Sequence, residues 1–348
     1  MTPNRTLAIS VFAAALFCAG TFRNASAAQT LQGGWAISPS NQAGEVELML
    51  FRRTEHSNMN SSNSWKLDQL TGLTAAQLKA ASSPVRFAIA REAGRIECTG
   101  NLQAGSGGGA FTFTQNPEFL KNMRSLGYDG LSDDLVFAMA LHDVSTAFVK
   151  ELKAEGVQIP NKDMLLALRI HNVTGQYVRE MKTLGASNLS ADNLVAMRIH
   201  GVTAEFAKSL KDMGYDPKPD SLVALRIHGV TPEFARDLKK QGYNSASLDQ
   251  MVAMRIHGVT PEFMKQAADL GYGRPSIDQL VAMRIHGVNP DFMKQVSDLG
   301  YGHPSIDQLV AMRIHGVSPE FIRKVQARGI RKASIDDLVS MKIHGIMD

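Results

Sequence analysis

A histidine returns at a nearly constant interval through the last two thirds of the chain. His142, His171, His200, His228, His257, His286, His315 and His344 are separated by 29, 29, 28, 29, 29, 29 and 29 residues. The fullest copy of the surrounding phrase is SIDQLVAMRIHGVNPDF, Ser276 to Phe292. A period in this range belongs to stacked architectures in which each unit is too small to bury its own apolar face and borrows its neighbour's.

Each unit resolves into two short helices. In Thr260 to Gly287, Thr260 is placed as an N-cap, Pro261 suits the first helical position, and Glu262 meets the positive helix end. Gly271 stops that helix; Ser276 caps a second one, with Gln279 as its capping-box partner, and Gly287 ends it. The stops recur as Gly127, Gly156, Gly185, Gly214, Gly242, Gly271, Gly300 and Gly329 after first helices, and as Gly201, Gly229, Gly258, Gly287, Gly316 and Gly345 after second helices. In the first two units the latter position holds Asp143 and Asn172, residue types that tolerate the left-handed region. Counting from Asn116 gives eight pairs, the last finishing at His344, and the 28-residue interval comes from a shortened loop at Asp216 to Asp220. Helices of about ten residues do not persist alone in water, so stacking is obligatory. Phe263, Ala267 and Leu270 supply the apolar face of a first helix, and Ile277, Leu280, Val281 and Ile285 that of a second. Met254, Met283, Met312 and Met341 share one register and read as core filler.

Three rows of side chains invite a functional reading. The histidines cannot share a metal side by side, because equivalent residues of packed helices lie about 8–10 Å apart while zinc ligands sit about 2 Å from the ion. Their place before the terminal glycine suits a helix-end role, leaving single-site zinc binding and pH sensing as alternatives. Two places earlier stands an arginine that a helical projection puts inside the apolar arc. It is expected to pair with the acid seven residues on, in a ladder of Arg198 with Glu205, Arg226 with Glu233, Arg255 with Glu262, Arg284 with Asp291 and Arg313 with Glu320. The third row is Lys121, Lys150, Arg179, Lys208, Arg236, Lys265, Lys294 and Arg323, each two places after the aromatic of its first helix. This row is the candidate binding stripe for an anionic surface, although i,i+3 and i,i+4 acids can neutralise it. No HExxH, CxxC or carboxylate cluster is present, so neither a metal nor a cofactor is expected, and no catalytic residue is assigned.

The region before the repeats has a different period. Val46, Leu48 and Leu50 alternate with Glu47 and Met49, and Val85, Phe87 and Ile89 with Arg86, Ala88 and Ala90; Ile96, Cys98, Phe111 and Phe113 continue the pattern. A small antiparallel sheet with one apolar face follows. Thr74 to Ala81 suits a short inserted helix, Ser57 to Ser64 a loop, and Gly105 to Gly109 a flexible hairpin connection, since no Lys-Ser/Thr follows to make a phosphate loop. Residues 1–27 have the form of a secretory signal peptide: Arg5, an apolar run from Leu7 to Ala19, and the small-x-small Ala25-Ser26-Ala27. Export with cleavage near Ala27, to the periplasm or beyond, is expected. Cys98 is then the only remaining cysteine and forms no intramolecular disulfide.

The phrase in Gly271 to Phe292, GY…S.D.LVAMRIHGV.P.F, resembles a helical repeat of uncharacterised exported bacterial proteins, similar to tails on membrane metallopeptidases of the beta-lactam-sensor antirepressor type. The peptidase's HExxH has no counterpart here. The resemblance implies the helical repeat fold and, by association, a sensing or protein-interaction role.

Together these readings predict an α+β chain: a signal peptide at 1–27, a small β-rich domain at 28–115, and an α-solenoid of eight helix-pair repeats at 116–348. The expected function is a non-enzymatic exported scaffold for a protein or peptide partner. The alternative is recognition of an anionic envelope glycan or lipid through the Lys/Arg row. Nucleic acid is disfavoured by the export signal and by the lack of interleaved exposed aromatics.

Overall fold

A computed structural model describes residues 30–53, 58–186 and 189–346; the expected signal peptide lies outside them. The chain divides into two compact units, the first ending at Glu118 and the second starting at Phe119.

The first unit is an antiparallel sheet of six strands: β1 (Thr30–Pro39), β2 (Glu45–Arg53), β3 (Asn58–Lys66), β4 (Ser83–Arg91), β5 (Gly94–Gln103) and β6 (Ser106–Gln115). Their order is β3-β2-β1-β6-β5-β4, so two three-stranded meanders join along β1 and β6. One face is apolar. Trp35, Phe87, Phe111 and Phe113 are fully buried, Trp35 meets Phe87 edge-on at 5.0 Å, and the Trp35 indole N–H donates to the Thr99 carbonyl at 3.1 Å. A short helix α1 (Ala75–Lys79) follows a capping box made by Thr74 and Gln77.

Two segments differ from their sequence reading. The Ser/Asn stretch expected as a loop is largely β3, which among the described residues pairs with β2 alone. An edge strand needs little apolar alternation, because its backbone hydrogen bonds rather than its side chains tie it to the sheet. The glycines expected as a flexible connection are mostly inside β6; the turn is Ala104 and Gly105, with φ of 47° and 83°. A Cβ on Gly107 or Gly109 would lie 2.0 Å from the carbonyl of Asn101 or Thr99, so these positions admit glycine because adjacent strands approach too closely for a side chain. Burial also explains Cys98. It is free and fully enclosed, and its thiol pKa is pushed up to about 12 by desolvation.

The second unit consists, among the described residues, of helix pairs in a repeated packing arrangement. The first helices are α2 (Pro117–Ser125), α4 (Thr146–Ala154), α6 (Gly175–Thr183), α8 (Ala204–Asp212), α10 (Pro232–Lys240), α12 (Pro261–Ala267), α14 (Pro290–Val296) and α16 (Pro319–Ala327). The second helices are α3 (Asp133–Leu141), α5 (Lys162–Ile170), α7 (Ala191–Ile199), α9 (Pro219–Ile227), α11 (Leu248–Ile256), α13 (Ile277–Ile285), α15 (Ile306–Ile314) and α17 (Ile335–Ile343). Second helices pack on second helices from α3 through α17, and first helices such as α4, α6, α8 and α10 pack on one another likewise. The chain is therefore α+β with a helical repeat region.

Local chemistry sets these boundaries. Thr260 Oγ1 accepts from Phe263 N–H, and Ser276 with Gln279 closes a reciprocal capping box. At the other end Val288 N–H reaches Met283 O at 2.7 Å and Gly287 N–H reaches Arg284 O at 3.3 Å, a Schellman pair. Gly287 has φ +69°, and its counterparts Asp143 and Asn172 have φ of 56° and 53°, so the non-glycine stops occupy the left-handed region as read from the sequence. Phe263, Ala267, Leu280 and Met283 are buried in the core.

Candidate functional site

The arginines of the second helices have other partners than the expected acids. Arg284 lies with its guanidinium 5.0 Å from the Phe263 ring and donates through Nε to the carbonyl of His257, the C-cap of the preceding second helix, at 3.4 Å. Arg169, Arg198, Arg226 and Arg313 do the same with the carbonyls of His142, His171, His200 and His286 at 3.1–3.3 Å. Their rings are Phe148, Tyr177, Phe206 and Phe292 at 5.0–5.4 Å. Arg255 keeps the ring contact, 5.2 Å from Phe234. Lys342 replaces arginine in the last pair and sits 4.7 Å from Phe321.

The ladder therefore ties each second helix back to the previous one, not forward to the next. The physical reason lies in the helix terminus. A carbonyl end carries partial negative charge and lacks intrahelical partners, and a cation from the adjacent unit satisfies both. Arg226, Arg255, Arg284 and Arg313 are exposed rather than sunk in the apolar arc. The acids stay on their own helices: Glu233 pairs with Arg236, Glu320 with Arg323, and Glu205, Glu233 and Glu320 accept hydrogen bonds from their own helix N-terminus and capping hydroxyl, which lowers their carboxyl pKa values. Glu262 and Asp291, the acids expected for Arg255 and Arg284, likewise form no ion pair with them among the described residues. Glycine serves twice at this junction, since a Cβ on Gly258 would meet Arg284 Nη2 at 3.1 Å and one on Gly287 would meet Arg313 Nη2 at 2.9 Å.

A parallel ladder on the first helices was not read from the sequence. Lys153, Lys182, Lys211 and Lys239 donate to Leu126, Glu155, Thr183 and Met213 carbonyls, each at the end of the preceding first helix. Where the lysine is missing, loop or helix donors take over: Arg274 on Gly242 O at 3.2 Å, His303 on Leu270 O at 2.8 Å and Gln326 on Leu299 O at 2.9 Å. The signal was present in the spacing of Lys153, Lys182, Lys211 and Lys239, each three places before a glycine stop.

The histidines occupy the C-cap of every second helix, from His142 to His344. In five of these pairs it is the backbone carbonyl that is engaged, by the arginine of the next unit. His142 is partly buried and its pKa is lowered by desolvation. Among the described residues no three His, Cys, Asp or Glu side chains come together as a metal site.

The candidate cationic row is exposed throughout, from Lys121 to Arg323. Much of it is matched by nearby carboxylates. Arg179 bonds Glu155 at 2.8 Å, which raises the arginine pKa; Lys208 bonds Asp212 and Lys265 bonds Asp269, both at 2.6 Å; Arg236 and Arg323 pair with Glu233 and Glu320. Lys150 and Lys294 make no ion pair among the described residues.

An apolar row takes its place as the conspicuous exposed feature. Ile170, Ile199, Ile227, Ile256, Ile285, Ile314 and Ile343, the residue after each arginine or lysine, are 48, 54, 53, 53, 52, 53 and 57% exposed. This corrects the placement of Ile285 in the core. A second helix packed on both sides by its equivalents buries Leu280 and Met283, while Val281 and Ala282 are half-exposed and Ile285 faces outward. In the first pair the corresponding Leu141 is buried. A shallow cleft of about 440 Å³ also opens beside Tyr243, Met264, Lys265 and Arg274, with Arg274 held on the Gly242 carbonyl.

No helix of the described residues is long and apolar enough to cross a membrane. No protein-family model matches the chain, and no curated protein matches it in sequence.

Proposed function

We propose that the helical array is a scaffold that binds a protein or peptide partner through the isoleucine row of its second helices. The observation that carries this reading is the row itself: seven isoleucines in equivalent places, each about half exposed. A single exposed isoleucine is ordinary, but a continuous line of them is what interaction surfaces use. Half-exposed Val252, Val281 and Val310 widen the line on the same helices. The role is one of binding rather than catalysis, and the leader-like residues 1–27 favour work outside the cytoplasm, where the resemblance to sensor tails suits envelope sensing.

The alternative, an anionic glycan or lipid held by the row from Lys121 to Arg323, is supported by its exposure and weakened by the acids that Arg179, Lys208, Arg236, Lys265 and Arg323 already engage. Affinity capture separates the two. An Ile256→Glu/Ile285→Glu chain should lose its captured protein while keeping its melting temperature, and a Lys150→Gln/Lys294→Gln chain should keep it. The opposite pattern, with salt-sensitive binding of an envelope polymer, would establish the alternative.

A further inference from the structure

The isoleucine row carries information about its occupant. The first part is pitch: second helices pack directly on one another, so equivalent isoleucines repeat at the separation of packed helices, about 8–10 Å. A β-strand brings same-face side chains back after about 6.8 Å, too short to stay in step. Three residues of polyproline II rise about 9.3 Å, which matches.

The second part is charge. Arg226, Arg255, Arg284 and Arg313 border the row, exposed and with no ion pair among the described residues. Each rests against a ring, and three of the four also donate Nε to a carbonyl. The Nη groups remain available for a partner's carboxylates or backbone carbonyls, and a polyproline II chain, unlike an α-helix, leaves its carbonyls free.

The third part is the opposite border. Asp249, Asp278 and Asp307 stand seven residues before their isoleucines, near the N-terminus of the same helix and on the same side, and all are exposed. An acidic border repels an anionic membrane or polymer laid across the row, whereas a peptide can keep its acids on the arginine side alone.

We propose that the row binds an extended acidic and apolar peptide segment in the polyproline II conformation, with an apolar side chain every third residue against successive isoleucines and carboxylates toward the arginines. The proposal rests on the scaffold reading above and adds the period and charge of the partner.

Fluorescence anisotropy with the full chain tests it, using a labelled (Leu-Glu-Pro) repeat peptide, a scramble of the same composition, a heptad-patterned helical peptide, and phosphatidylglycerol vesicles as competitor. The repeat peptide is expected to bind at least about tenfold more tightly than the scramble, to weaken with salt, and to lose about tenfold in affinity for Ile256→Ser/Ile285→Ser at unchanged melting temperature. Arg255→Lys/Arg284→Lys keeps the charge and should retain most of the binding; Arg255→Gln/Arg284→Gln should not. Equal binding of the scramble, tighter binding of the heptad peptide, displacement by vesicles, or indifference to the isoleucine variant would overturn the proposal. A natural partner captured through Ile256 and Ile285 by a chain that ignores the repeat peptide would leave the scaffold role standing and refute the period alone.

Discussion

Removing one rung of the arginine ladder should loosen the array at a defined junction. Arg284→Ala deletes a guanidinium 5.0 Å from the Phe263 ring and its Nε bond to the His257 carbonyl. An exposed cation–π contact contributes about 0.5–1 kcal/mol, and a cation at a helix carbonyl end about 0.3–1 kcal/mol at surface exposure. Solvent screening of an exposed arginine holds the sum to about 1–1.5 kcal/mol. Because units couple only to neighbours, that loss falls on the interface of α13 with α11 and α12. Urea unfolding followed by far-ultraviolet circular dichroism should therefore show a lower midpoint for Arg284→Ala than for the control Lys294→Ala, whose lysine makes no ion pair among the described residues. Arg284→Lys should recover part of the loss, as Lys342 over Phe321 shows that an ammonium fits the place. A double-mutant cycle with Phe263→Leu should return a coupling of about 0.5–1 kcal/mol. If Arg284→Ala unfolds with Lys294→Ala, and the cycle closes to zero, the ladder does not hold the units in register.

Three further outcomes are expected. Asn172→Gly should stabilise the array by about 0.5–1 kcal/mol in urea unfolding, since its φ of +53° suits glycine; Asp143→Gly should not, because it also loses the 2.9 Å bond to Arg169. Cys98, with its thiol pushed up to about 12 by burial, should resist a maleimide at neutral pH until the sheet unfolds. Glu205, Glu233 and Glu320 have folded carboxyl pKa values below the ordinary 4.5, so the stability they contribute is complete above pH 4.5 and is lost as pH falls through the lower folded values. A Glu205→Gln/Glu233→Gln/Glu320→Gln chain should show a flatter melting temperature against pH in that acid window.

The sequence carried the architecture because helix ends are written in local chemistry. Thr260, Pro261, Ser276, Gln279 and Gly287 act within a turn of themselves, and the structure places each at the predicted terminus, whereas α12 ends at Ala267 and Gly271, with φ +91°, lies in the π-helical turn Ala268–Tyr272 that follows it. Interactions between units were less legible. Arg284 has an acid seven residues ahead in sequence, but its partners lie 21 and 27 residues behind, at Phe263 and His257. The 29-residue period superimposes both choices, so spacing alone cannot choose between a forward and a backward contact. Ile285 was misplaced for a related reason: an apolar residue at helical spacing counts toward the core face, whereas flanking second helices leave that edge outside. One signal was available, since Ile170, Ile199, Ile227, Ile256, Ile285, Ile314 and Ile343 never change while the core residue two places earlier switches between Leu168 or Leu225 and Met197 or Met254. In the sheet, β3 escaped notice because an edge strand of Ser and Asn shows no alternation.

Site-specific photo-crosslinking compares the two exposed rows directly. A photoreactive phenylalanine analogue replaces Ile285 in one full-length chain and Lys265 in another, each expressed with residues 1–27 and irradiated in cells. Adducts of a discrete protein from position 285, lost when Ile256→Glu is added, and none from position 265, are the predicted result. Adducts from position 265 alone, or polymer-sized smears there with nothing at 285, would contradict the claim that the isoleucine row is the face that binds.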